Sequence, residues 1–188
     1  MKNIFREIKI PFICLSVLFV LCLALGYISG NSHPDEAKNL FDKLFESFSS
    51  LKSVNVLAIF FFIFVNNSVK TLGMFLFGTF FGIIPILFIA INGVLIGIMS
   101  SVVITKHGAS YLFAGTIPHG ILEIPAMLIA ASYGLQLGRR YFRKLKYSEP
   151  FKPHLLKMTG KLFRYVIPLL AIASFVETFI TMTILRSL

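Results

Sequence analysis

The chain has 188 residues, of which 56% are apolar and 14% charged, and its mean hydropathy is +0.84. A soluble domain carries roughly 25% charged residues, so most of this chain belongs in lipid, with room for five or six spans of about 20 residues. That excludes a secreted enzyme, a nucleic-acid module and a disulfide scaffold, and it makes the formal net charge of +10 a matter of topology before anything else.

The charge is concentrated. Lys2, Arg6 and Lys9 stand against Glu7 near the N-terminus, and Arg139, Arg140, Arg143, Lys144, Lys146, Lys152, Lys157 and Lys161 stand against Glu149 in residues 136–161. Short loops rich in Lys and Arg resist translocation. The N-terminus and the 139–161 loop are therefore expected in the cytoplasm, in a multi-pass protein of the plasma membrane. Residues 31–53 carry Asp35, Glu36, Asp42 and Glu46 against three lysines and are expected outside. Affinity for anionic lipid head groups accounts for what remains of the basic excess, and no nucleic-acid partner is expected.

In chain order, residues 10–29 read as a first, uncleaved span. Its two cysteines, Cys14 and Cys22, would be about 12 Å apart on one helix, too far for a disulfide. Residues 31–53 begin with Asn31, Ser32 and Pro34 and place Asp35 and Glu36 in a first turn, which favours a helix start. Leu40, Phe41, Leu44, Phe45, Phe48 and Leu51 then recur at three- and four-residue steps. The pattern predicts an amphipathic helix on the outer interface, covering the bundle or docking an envelope protein.

Residues 54–138 form the central spans. Breaks at Asn66-Asn67-Ser68, Lys70, Pro85 and Asn92-Gly93 predict three spans, at about 54–69, 72–90 and 92–105. Lys106 and His107 would then return to the cytoplasm. A single span over 109–138 would leave the basic loop outside, so the parity requires a re-entrant segment, turning at Pro118-His119-Gly120 or at Asn66-Asn67. Residues 162–185 are the last span. The expected fold is an all-α polytopic membrane bundle within one domain, 1–188, with about five transmembrane helices, one re-entrant segment and an interfacial helix. Gly78 and Gly82, and Gly93 and Gly97, are small-xxx-small pairs that suit close helix packing and are compatible with a homodimer.

Ionisable groups inside a span cost roughly 2.5–3.5 kcal/mol each. Two carboxylates lie in such positions, Glu123 and Glu177. His119 precedes Glu123 by four residues, which sets both on one helical face. Asn66, Asn67 and Asn92 add amides. One reading makes these residues structural, with buried polar groups tying helices together. Another makes His119, Glu123 and Glu177 ligands for a divalent cation or proton carriers on a transport path, with Asn66, Asn67, Asn92, Gly93 and Gly120 beside them. A third, an intramembrane metal-dependent hydrolase, lacks an HExxH motif, a GxSxG elbow and a second intramembrane histidine, since His33 and His154 lie in loops and His107 at a boundary. No phosphate-cradling motif occurs either. An enzyme is therefore not expected.

Phe-Val-Asn-Asn-Ser, Gly-Thr-Phe-Phe-Gly, Ile-Asn-Gly-Val-Leu-Ile-Gly and Pro-His-Gly-Ile-Leu-Glu, followed by a glutamate in the last span, together resemble the stage II sporulation protein M family over about residues 5–185. By position, His119, Gly120 and Glu123 match its His-Gly motif. Asn66 or Asn67 matches an earlier asparagine, Asn92 and Gly93 an Asn-Gly pair, and Glu177 a late glutamate. The resemblance implies a non-enzymatic membrane scaffold that recruits envelope-remodelling partners, here through residues 31–53. The residues themselves favour transport, because a scaffold has little reason to place two carboxylates and an imidazole in lipid.

Overall fold

The computed structural model describes residues 2–49 and 55–181, apart from the side chains of residues 2–6, 44–49 and 119. Among the described residues the chain is helical and has no β-strand. The helices are α1 (Lys2–Ser32), α2 (Pro34–Ser49), α3 (Val56–Leu76), α4 (Ile83–His107), α5 (Ala109–Tyr147), α6 (Lys152–Lys161) and α7 (Ile167–Phe175). A π-helical turn, Leu162–Val166, joins α6 to α7, and a second, Val176–Thr181, continues α7. Five stretches are long and apolar enough to cross a bilayer: Glu7–Ser32, Val56–Thr79, Ile83–His107, Gly120–Tyr147 and Lys152–Thr181.

The ends of these helices follow local chemistry. Pro34, Asp35 and Glu36 open α2, as a helix start favours. The Asn55 side chain accepts a hydrogen bond from the Leu57 N–H at 2.9 Å and caps α3. A 3₁₀ turn, Phe77–Thr79, ends α3, and Phe81 at φ 55° and Gly82 at φ 78° reverse the chain into α4. Gly108 at φ 86° separates α4 from α5, and Ser148 at φ 55° ends α5.

These breaks correct the expected division of residues 54–138. Two helices, not three, occupy 56–107. Asn66 and Asn67 lie inside α3, and Asn92 and Gly93 inside α4. In lipid an interrupted helix would leave backbone groups without water to bond, so turn-forming residues are carried within the helix. The turn expected at Pro118-His119-Gly120, or else at Asn66-Asn67, is in neither place, because α5 and α3 run through both. The parity that called for a re-entrant segment came from counting one span too many. Lys106 and His107 also change sides: Lys106 Nζ lies 3.5 Å from Asp42 of α2 and 4.8 Å from the centre of the Phe41 ring.

With that count, the N-terminus and the basic segment share one end of the bundle. Glu7 pairs with Lys157 at 3.1 Å and also with Lys161, and Gln136 donates to the Glu7 carbonyl oxygen. Arg143 pairs with Glu149, and Arg140 lies 3.9 Å from the same carboxylate. At the opposite end α2 buries Ala37 and partly buries Leu40 and Phe41, leaving Asp35, Glu36, Lys38 and Asp42 exposed. The remaining apolar positions of the expected amphipathic helix, Leu44, Phe45, Phe48 and Leu51, fall outside the described side chains, as residues 182–185 of the last span fall outside the described residues.

Small residues set the packing. A Cβ on Gly97 would meet the Leu23 carbonyl and lie 2.7 Å from the Tyr27 nitrogen, and one on Gly93 would lie 2.8 Å from the Phe19 carbonyl oxygen. Gly26 and Gly30 of α1 meet Val94 and Ser101 of α4 in the same way. A second such contact joins the end of α3 to α5, where Gly78 meets Gly134 and Gly138 meets Gly78 and Gly82. Both glycine pairs singled out in the sequence are therefore used inside one chain. The core between them holds Phe75, Ile89, Tyr133, Leu137, Leu162 and Leu170.

Candidate functional site

Glu123 lies on α5 fourteen residues after the helix start, and Glu177 lies in the π-helical turn Val176–Thr181. Both are half-buried. They come within electrostatic reach of each other, and Glu123 also comes within reach of Lys70 on α3. The three elements touch pairwise, so a polar region is built where α3, α5 and the end of the last helix meet.

The backbone explains part of this placement. A π turn inserts one residue into a helix, and such turns recur at functional sites. Here the insertion carries Glu177 and Thr178 together. The hydroxyls of Thr178 and Thr181 on this turn, and that of Ser68 on α3, are buried without a hydrogen-bond partner among the described residues. Buried hydroxyls are normally bonded. Three orphans on two of the elements that carry the charged groups mark this part of the bundle as polar space, not as sealed core.

Of the other predicted positions, Asn66 and Asn67 are on α3 and half-buried, with the Asn66 amide donating weakly to the Asn67 side-chain oxygen at 3.5 Å. His119 is four residues before Glu123 in α5, and its side chain is outside the described set. Gly120 is buried, but a Cβ there would meet only Ile124 and Thr116 at 3.7 Å. Asn92 and Gly93 belong elsewhere. Asn92 donates to the Phe88 carbonyl of its own helix at 2.7 Å, and Gly93 packs on α1. Among the described residues no three His, Cys, Asp or Glu side chains come together as metal ligands.

Lys70 was missing from the sequence-derived set. It enters the reading of the chain only as an interruption of an apolar run, although a lone lysine inside a span is itself the signal of a buried partner. Thr178 and Thr181 gave no pattern of their own.

The comparisons with known proteins agree with the membrane architecture. The family model described as stage II sporulation protein M matches residues 15–182. An uncharacterized protein of Methanocaldococcus jannaschii is 31% identical over 177 residues, which cover 92% of this chain and 94% of the relative. No solved structure matches. With the family match spanning nearly the whole helical bundle, the chain belongs to the stage II sporulation protein M family.

Proposed function

We propose that this integral membrane protein is a transporter or channel-like protein in which Glu123 and Glu177 bind and release a proton or a monovalent cation. The observation that carries the reading is that two carboxylates and one lysine lie on three touching elements of an apolar bundle, within electrostatic reach. With all three groups ionised the cluster has one unbalanced negative charge. One proton or one monovalent cation neutralises it, whereas a divalent ion would over-compensate next to Lys70. Intramembrane ionisable groups gathered on neighbouring helices are the usual mark of a proton or ion path. The buried hydroxyls of Ser68, Thr178 and Thr181 supply further ligands for such an ion or for water.

The second reading is the scaffold, and the exposed acidic face of α2 at Asp35, Glu36 and Asp42 favours it as a surface for an envelope partner. The family is not one of known enzymes, which is in keeping with both readings. The orientation that goes with them has the N-terminus in the cytoplasm and α2 outside.

Flux into proteoliposomes, read with an internal pH dye and with radioactive sodium or potassium, tests the proposal. Glu123→Gln and Glu177→Gln are each expected to lower flux at least about tenfold, the scale on which intramembrane charges matter, with folded protein recovered in normal yield. Unchanged flux in both variants, or no flux above empty vesicles for the wild type, overturns transport and leaves the scaffold.

A further inference from the structure

We propose that the basic end of the bundle carries a binding site for an anionic phospholipid, held by its phosphate and seated between α1, α4, α5 and α6. A cavity of about 910 Å³ opens there, within the range of about 300–1,000 Å³ typical of small-molecule sites. Its wall carries both basic and apolar side chains: Lys9, Arg139, Arg140, Arg143 and Lys157, with Glu7 the one carboxylate, and Ile10, Leu15, Leu18, Ile86 and Leu135.

The charges are arranged for an anion. Glu149 holds Arg140 and Arg143 in place, and Glu7 is taken up by Lys157 and Lys161. Lys9 and Arg139 are exposed and have no carboxylate partner among the described residues. A guanidinium fork matches two phosphate oxygens, and a basic pocket between transmembrane helices is the kind of place where acidic lipid head groups bind.

The apolar part argues for a lipid over a free phosphate. Ile10 is 75% exposed and Ile86 41% exposed, so these side chains continue the cavity wall onto the outer surface of the bundle. A free phosphate would use none of that surface. A phospholipid would place its phosphate against Arg139 and Lys9 and its acyl chains along Ile10, Leu18 and Ile86.

Native mass spectrometry of the full-length protein in detergent, with phosphatidylglycerol or phosphatidylcholine added, provides the test. The wild type is expected to retain one phosphatidylglycerol in preference to phosphatidylcholine. The Lys9→Gln/Arg139→Gln double variant is expected to bind it about thirtyfold more weakly, in line with about 1 kcal/mol for each of the two basic residues near a lipid surface. Lys146→Gln/Lys152→Gln, which removes two cations outside the cavity, should bind as the wild type does. Ile10→Glu, a change on the exposed apolar wall, should also weaken retention, and inorganic phosphate should not displace the lipid. Equal loss in both double variants, equal retention of the two lipids, full binding by Ile10→Glu, or displacement by phosphate each overturns the proposal.

Discussion

At the scale of single residues, the glycines between α1 and α4 act by what they lack. Where a Cβ on Gly97 would lie 2.7 Å from the Tyr27 nitrogen, the atoms in the way are backbone of α1 and cannot rotate aside. Gly97→Val is therefore expected to destabilise the protein by at least about 1–3 kcal/mol, the usual cost of overpacking, seen as a lower melting temperature in detergent. Gly160 is the opposite case. It sits near the end of α6, where an added Cβ would have nothing within 4 Å of it, so Gly160→Ala should stabilise by about 0.5–1 kcal/mol through helix propensity. The first set of contacts was half legible in advance. Gly93 and Gly97 have the right spacing, but Gly26 and Gly30, which bring α1 close to Val94 and Ser101 of the same helix, stand in a segment that reads mainly as an apolar run. Glu123 and Glu177 were legible because charge in lipid is costly wherever it falls. Lys70 was not, since a residue that breaks an apolar pattern reads as a boundary until the helix is seen to pass through it.

Helices and their junctions pose a different question, which of the contacts between elements hold the bundle together. Lys106 and Asp42 join α4 to α2 with side chains 34% and 49% exposed, and exposed pairs contribute about 0–1 kcal/mol. Glu7 joins α1 to α6 through two lysines, of which Lys161 is only 17% exposed. Glu7→Gln is thus expected to lower the melting temperature more than Asp42→Asn. The loss should shrink at high ionic strength, where exposed charges are screened. A scan of both variants at about 0.05 and 1 M salt, chosen to span the change in Debye length, measures it. An equal effect of the two substitutions would count against the Glu7 clasp. The same scale explains why the membrane-spanning character was readable while the helix boundaries were not. Hydropathy sums over about 20 residues and survives a few polar positions. Asn66, Asn92 and Pro118 are turn formers in water, and only the absence of competing water keeps them inside α3, α4 and α5.

The whole molecule is a stack of alternating helices with unlike ends. One end holds the N-terminus and the basic segment 139–161, and the other holds α2 with its exposed acids. Positive charge on short loops favours the cytoplasm, so impermeant maleimide on intact cells should label Asn39→Cys and spare Lys152→Cys, both placed in a background without Cys14 and Cys22. Permeabilised cells should label both. The reverse pattern would invert the orientation of the bundle, and labelling of both in intact cells would break the alternation itself.

The two π-helical turns have a consequence for the phase of the last helix. Each inserts one residue, and one residue rotates an α-helix by about 100°. Residues Ile167–Phe175, which follow the first of them, are therefore turned by about 100° relative to the face they would present if the helix from Lys152 were regular throughout. The direction in which Glu177 points is set by a register error built into the backbone and not by the side chain alone. Moving that error by one turn would carry the carboxylate to another face while the helix axis stays where it is.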